Sequence, residues 1–493
     1  MKARRGFRLL WPVLALGTVL GVTLGAGETV VAAAAPSPIQ HVLVILQENH
    51  SFDNVLGKLC AEVKSGQIMR PGRGTHCDGA TEGTTNTGQV VKLAPATDYV
   101  PGVDHSVEGQ QRDIDGGKMD GFNGAPSCSS LSVCYSQYDP LTGPCSAGSC
   151  IPNLAALAEK YTISDRTFEL YSSPSWAGHL VWATANQDGF QGDNPQNPTA
   201  SDPQPNSIGS GWGCDSGRVE QWGSSQELVP SCIPDLTGSL GKNWSSYTGP
   251  HAPHVKTIFD ELGAKGLTWK IYGGAGAPPT GSTSSFTDSG WQWAICPTFV
   301  ECLYTKQRNN LVSNVQLATD AANGQLPSYA IVTPLADQSQ HNNDDMSAGD
   351  NFIGSTVAAI QASPEWSSTA IFIEYDDCGC FYDHVNPLQY NSQWGLRVPV
   401  VIVSPYAKLG YTDSTPTTFA GTLAFMEHTF GLAALDPTND GSAYDYRGSF
   451  CFDPKLSGCT PAGTAPTPMV SQTPTPLTAS QKAAQVASNK EDT

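Results

Sequence analysis

The sequence predicts an α/β protein: a mixed, mostly parallel β-sheet sandwiched between helices, carrying lid insertions pinned by disulfides. Three observations predict it. Short apolar, β-branched runs recur at His41–Gln47, Tyr161–Ser164, Thr268–Tyr272, Ser328–Thr333, Thr369–Glu374 and Val398–Ser404. Helix-like segments at Asn153–Lys160, His254–Lys265, Gly354–Ala362 and Thr418–Phe430 lie between several of them. Strands that are apolar throughout, alternating with amphipathic helices, suit a sheet covered on both faces. Finally, several cysteines sit in close pairs inside Gly/Ser/Pro-rich stretches, the pattern of stapled loops.

Taken in chain order, the first element reads as an export signal over residues 1–35. Lys2, Arg4, Arg5 and Arg8 form a basic region, an apolar run follows from Leu9 to about Ala26, and Ala33-Ala34-Ala35 offers a small-residue cleavage site. An uncleaved anchor is the competing reading, but no stop-transfer flank follows the run. Arg4-Arg5 also fits twin-arginine export as well as the Sec route. The main domain is expected over residues 36–459. Polar stretches at about 187–248 and 273–303, rich in Gly, Ser, Asn and Pro, read as insertions that cap the site. Residues 460–493 form a Pro/Thr-rich tail whose composition predicts disorder. No other run is long and apolar enough to span a bilayer, so no stable membrane span is expected after signal removal.

All fourteen cysteines follow the signal. Cys128/Cys134, Cys145/Cys150, Cys214/Cys232, Cys296/Cys302 and Cys451/Cys459 are candidate local bridges. No C-x-x-C pair occurs, which disfavours a cysteine metal site. Removing residues 1–35 leaves 22 basic and 44 acidic residues, a net charge of −22. That field excludes nucleic acid and anionic membrane surfaces as electrostatic partners. An anionic substrate would need a cation or local donors to offset it.

The chemistry gathers where strands end. In open α/β sheets ligands bind beyond the carboxyl ends of the strands. Five of the seven residues from His41 to Gln47 are apolar, and then the chain becomes Glu48-Asn49-His50-Ser51. The run Thr369–Glu374 likewise ends in Asp376-Asp377, followed by Asp383-His384. Two adjacent carboxylates repel each other, and a divalent cation relieves that repulsion. A capping turn after the first strand and a solvated acidic turn after the second are the bland alternatives. A third strand leads to His341, and "VPGVDHS" carries His105 in a loop. In "SPSWAGHLVWAT", Ser175 opens an apolar helix-like run, where free N–H groups make a positive local field. Such a hydroxyl suits either a nucleophile or an ordinary N-cap. No G-x-S-x-G elbow is present.

Together "ENHSFDNVLG", "KMDGF", "SPSWAGH", "SQHNNDD…AGDNFI", "EYDDCGCFYDHVNP" and "RVPVVIVSPYA" resemble the bacterial phospholipase C/acid phosphatase family of phosphoesterases, within the alkaline-phosphatase-like superfamily. They occur in the family's order between Val42 and Ser404. The resemblance implies an alkaline-phosphatase-like fold and a metal-assisted phosphoesterase working through a phospho-enzyme. By position it implies metal ligation by Glu48, Asn49, Asp376 and Asp377, with Ser175 as nucleophile. His105 and His341 would contact the phosphoryl or leaving group, and His384 would give outer support. One divalent metal is implied, with Ca, Mg, Mn, Zn and Fe all compatible. The substrate would be a phosphate ester, and a phospholipid headgroup such as choline would want an aromatic cage, for which Trp176, Trp182, Trp291 and Trp293 are candidates. Where many relatives carry "DEHGG", this chain has Asp377-Cys378-Gly379-Cys380, so disulfides from there to lid loops are expected. The alternative from another class is a non-catalytic exported carbohydrate or cell-wall binder on a degenerate phosphoesterase fold.

Overall fold

The computed structural model describes residues 37–491 apart from 73, 141–149, 210, 277–290 and 292. The export-signal expectation and Cys145 therefore lie outside the described residues, as does much of the second insertion.

Eight strands make one sheet: β1 (His41–Gln47), β2 (Thr162–Ser164), β3 (Trp269–Tyr272), β4 (Leu311–Val312), β5 (Tyr329–Val332), β6 (Thr369–Tyr375), β7 (Val400–Val403) and β8 (Thr412–Asp413). Their order is β4-β3-β5-β1-β6-β7-β2-β8. Every neighbouring pair is parallel except the two made by β7. β1 and β6 are central neighbours, paired from His41↔Thr369 to Gln47↔Tyr375. Their last residues are in register, so Glu48-Asn49 and Asp376-Asp377 leave the sheet side by side. From Val42 to Leu46 and throughout β6 every side chain is buried, as expected of strands covered on both faces.

The helices that matter for the site are α1 (Lys58–Ser65), α2 (Val107–Ile114), α3 (Pro152–Lys160), α4 (Ser175–Thr184), α5 (Ile258–Ala264), α6 (Met346–Gln361), α7 (Ala420–Phe430) and α8 (Ala479–Glu491). α4 packs against α5 and α7, and α3 packs against α6. α5 starts later than its apolar pattern suggests because Thr257 and Asp260 form a reciprocal capping box. α6 begins two turns before the expected Gly354. Its polar first half is buried because Asp350 accepts hydrogen bonds from the Asn153 and Leu154 amides at 3.1 and 2.9 Å, capping α3.

The insertion over residues 187–248 forms a hairpin, Val219–Trp222 with Glu227–Pro230, stapled by Cys214–Cys232. Cys214, Val219, Cys232, Leu240 and Trp244 share a small core with Val300 and Leu303, so the two insertions pack on each other. Cys128–Cys134, Cys296–Cys302 and Cys451–Cys459 also pair as expected. A further bridge, Cys60–Cys77, was not among the expected pairs, although its separation of 17 residues is close to the 18 of Cys214–Cys232.

Two expectations are corrected. Cys378 and Cys380 make no bridge to a lid loop: both are buried free thiols whose sulfurs face each other at 2.9 Å. The tail, expected to be disordered, is held to the body at three backbone amides. The Val470 amide donates to Asn153 Oδ1 at 2.8 Å, the Gln472 amide to Asn351 Oδ1 at 2.8 Å and the Thr475 amide to Asp98 Oδ2 at 2.7 Å, before α8 closes the chain. Body side chains thus take up the hydrogen bonds that a Pro/Thr-rich segment cannot make with itself.

Candidate active site

Asn49 is the hub. It has φ 59°, a left-handed conformation that asparagine tolerates, and its amide donates to Asp376 Oδ1 at 2.9 Å. Its side-chain oxygen lies 3.1 Å from Asp377 Oδ2 and 3.3 Å from Asp376 Oδ1. The same oxygen accepts a 3.4 Å hydrogen bond from Ser175 Oγ. Its side-chain nitrogen lies 3.0 Å from His341 Nε2 and 3.3 Å from His105 Nε2. Six of the seven residues chosen from sequence therefore meet around one amide. Glu48, the seventh, joins through a histidine that sequence reasoning missed.

That residue is His179. Its Nε2 lies 3.2 Å from Glu48 Oε1 and 3.8 Å from Asp376 Oδ2. Ser175 and His179 stand four residues apart on α4, so one helix face presents both. That spacing was the available signal. α4 can approach because residue 178 is glycine: a Cβ there would meet the Asp376 carbonyl at 3.0 Å. The Asp377-Cys378-Gly379-Cys380 turn depends on Gly379 (φ 50°), where a Cβ would sit 1.9 Å from the Asn49 carbonyl.

Three histidines are oriented alike. His105 Nδ1 donates to Val103 O at 2.8 Å, His179 Nδ1 to Trp293 O at 2.9 Å and His341 Nδ1 to Asn342 O at 2.9 Å. With Nδ1 donating, each ring in its neutral form turns the Nε2 lone pair toward the Asn49 cluster. Burial lowers the His179 pKa, which keeps that ring neutral. Burial also works to raise the Asp376 carboxyl, but Glu48, His179, the Asn49 amide and Ser175 outweigh it and hold it below the usual carboxylate range.

The donor set fits a divalent cation. Glu48, Asp376 and His179 offer three ligand atoms within 4.8 Å of one another. The Asn49 oxygen faces two carboxylates, which are acceptors like itself. Turning the amide over relieves that conflict, its nitrogen then donating to Asp377 Oδ2 at 3.1 Å and Asp376 Oδ1 at 3.3 Å; in the orientation described, a cation among the oxygens would relieve it instead. Carboxylate and amide oxygens with one imidazole, whose far nitrogen donates to a carbonyl, make a conventional metal environment.

Other expectations place differently. His384 belongs to a separate cluster: its Nδ1 donates to Asp53 Oδ2 at 2.5 Å and its Nε2 faces Asp78 Oδ1 at 3.2 Å. Arg397, fully buried, reaches Asp53 at 3.2 Å and Asp383 at 3.0 Å. The four tryptophans form no cage. All four are buried, with Trp176 Nε1 donating to Thr298 Oγ1 and Trp182 Nε1 to Glu374. Ser175 is not a cap, because α4 has no side-chain hydrogen bond at its N-terminus.

The profile of the Phosphoesterase family matches residues 39–433, a span that includes the Asn49 hub and both strand ends. The chain belongs to the phosphoesterase family. It is 23% identical over 434 residues to non-specific phospholipase C4 of Arabidopsis thaliana, covering 78% of this chain and 65% of that protein. It is 24% identical to non-hemolytic phospholipase C of Burkholderia pseudomallei, covering 80% of this chain and 55% of that one. The non-hemolytic phospholipase C of Pseudomonas aeruginosa is 23% identical, with coverages of 87% and 60%. This member of the family thus spans a little over half to about two thirds of those relatives' lengths. Among solved structures, a protein in the alkaline phosphatase superfamily from Vibrio parahaemolyticus is 14% identical over 59% of this chain and 63% of that one, with a TM-score of 0.31.

Proposed function

We propose that this chain is an exported, metal-dependent phosphoesterase that hydrolyses phosphate esters through a phosphoserine at Ser175. The observation that carries it is the meeting of Ser175, four oxygen-bearing ligand residues and three uniformly oriented histidines around Asn49. A binding-only protein has no need of such a constellation, which favours catalysis over a degenerate, carbohydrate-binding fold.

Glu48, Asn49, Asp376 and Asp377, with His179, are the residues that would hold the metal. When bound there, a divalent cation supplies Lewis-acid stabilisation of phosphoryl and alkoxide charge. The imidazole favours Mn, Zn or Fe over Ca or Mg, which prefer oxygen alone. Ser175 Oγ attacks phosphorus in line, so the Ser175 Oγ–P bond forms as the P–O bond to the leaving alcohol breaks. Asp376, in hydrogen-bond contact with Ser175, is an anionic acceptor for the hydroxyl proton. His105 or His341, when protonated, donates to the departing oxygen. Water then cleaves the phosphoserine. The N-terminal end of α4 adds a positive field at the nucleophile.

The substrate is a phosphate ester, phospholipase C-like or acid phosphatase-like. Four of the predicted disulfides, with Cys60–Cys77, support export to an oxidising compartment. Among the described residues no helix is long and apolar enough to cross a membrane. Acid quench during turnover of p-nitrophenyl phosphate, followed by peptide mass analysis, should find the phosphoryl group on Ser175. Ser175→Ala should lower turnover by roughly 10³-fold or more. Near-wild-type turnover in that variant would sink the proposal.

A further inference from the structure

A groove of about 640 Å³ is lined by residues that flank two of the catalytic groups along the chain. Val107, two residues after His105, lines it, as do Tyr171 and Ser172, just before Ser175. Its volume is that of a small-ligand site. In a chain of net charge −19, none of its lining residues is charged. Instead the walls combine the rings of Tyr171, Phe190 and Trp394 with the amides of Gln111, Gln187 and Gln393 and the hydroxyls of Ser172 and Ser392.

The polar groups have unused capacity. Gln187 is 7% exposed, and its Nε2 has no hydrogen-bond partner among the described residues. Buried donors are normally paired, so this one points to a ligand group. The aromatic rings do not make a cation cage. Trp394 stacks on Phe168 at 5.4 Å and Phe190 meets Trp176 edge-on at 4.9 Å, which leaves them only part of their surface. Partly covered rings flanked by amides and hydroxyls, without charge, suit the alternating C–H faces and hydroxyls of a sugar or cyclitol.

Resting on the phosphoesterase reading above, we propose that this groove binds the alcohol portion of the substrate, and that this portion is an uncharged polyol: a sugar or inositol esterified to phosphate. A cationic headgroup such as choline gains no carboxylate there, and an anionic one meets the protein's own field.

The test compares phosphate release from glucose 6-phosphate and myo-inositol 1-phosphate with release from phosphocholine. At least one polyol ester should exceed phosphocholine by about tenfold or more in kcat/KM, and Trp394→Ala should collapse that ratio mainly through KM. Trp394→Phe, which preserves the stack on Phe168, should restore much of it. Equal or better hydrolysis of phosphocholine, or a ratio untouched by Trp394→Ala in a folded variant, overturns the proposal. Turnover of phosphatidylcholine alone also overturns the polyol proposal, whereas failure to turn over any of these esters, p-nitrophenyl phosphate or phosphatidylcholine refutes the phosphoesterase reading instead. The groove is then judged by saturation-transfer NMR with methyl α-glucoside. Signal that is present with wild type and weaker in Gln187→Ala supports it, and absent or unchanged signal overturns it.

Discussion

Two buried acidic clusters lie beyond the ends of β1 and β6, and they are resolved in opposite ways. In one, Asp53 and Asp383 face Arg397 and His384, so the protein supplies its own cations. In the other, Glu48 and Asp376 face His179, the Asn49 amide donates to Asp376, and the Gly379 amide donates to Asp377. Both offer three candidate ligand atoms within 4.8 Å. The difference teaches that proximity of carboxylates does not make a metal site. What matters is whether a guanidinium or imidazolium already occupies the position of the positive charge. The Arg397 cluster is a structural clasp, and on the proposed reading the Asn49 cluster recruits a cation.

The largest expected effect comes from removing acid in the open cluster. Asp376→Asn should reduce bound metal and turnover by more than the roughly 10–100-fold typical of losing an outer partner. Plasma mass spectrometry and phosphate release measure both, and an intact thermal transition would show that the fold survives. Next comes the clasp. Arg397→Met leaves two buried carboxylates without their cation and should cost about 3–5 kcal/mol in denaturant unfolding. The folded fraction should still bind metal; loss of metal without loss of stability would reverse the two assignments.

The clasp also sets a pH signature. Burial opposes charge on His384, but hydrogen bonds to Asp53 and Asp78 outweigh it and raise its pKa to about 10. A folded-state pKa above the unfolded value of 6.5 contributes stability fully below that value and loses it as pH rises toward about 10. The midpoint of thermal unfolding should therefore fall between pH 7 and 10 more steeply in wild type than in His384→Gln. Parallel slopes would contradict this. The smallest effect is expected beside the site. Ser106 Oγ accepts from the Gly109 amide at 3.2 Å and caps α2 directly after His105. Ser106→Ala should cost about 1 kcal/mol, read in the same unfolding assay, with turnover changed far less than in Asp376→Asn.

How much of this was legible in the sequence follows from the range of each interaction. The apolar runs of β1 and β6 announced themselves, and their polar successors pointed to the rim before any pairing was known. Pairing of those two strands then brought Asn49 to Asp376 across 327 residues. His179 was missed because it sits in a run that reads as apolar helix, although its four-residue spacing from Ser175 was visible. The clasp was unreadable for a different reason. Asp53, Asp383 and Arg397 lie in three motifs far apart along the chain, and nothing in their spacing says that the fold buries them together. The tail misled because its composition denies it internal structure, and only the side chains of Asn153, Asn351 and Asp98 reveal where its backbone bonds go.

The central claim is that the open cluster, and not the clasp, holds the cation. The most direct measurement is an anomalous-scattering map from crystals of protein purified without chelator and grown with Mn²⁺. The account predicts one peak in contact with Glu48, His179 and Asp376. A peak between Asp53, Asp383 and His384, or none anywhere while the same preparation hydrolyses phosphate esters in excess chelator, would contradict it.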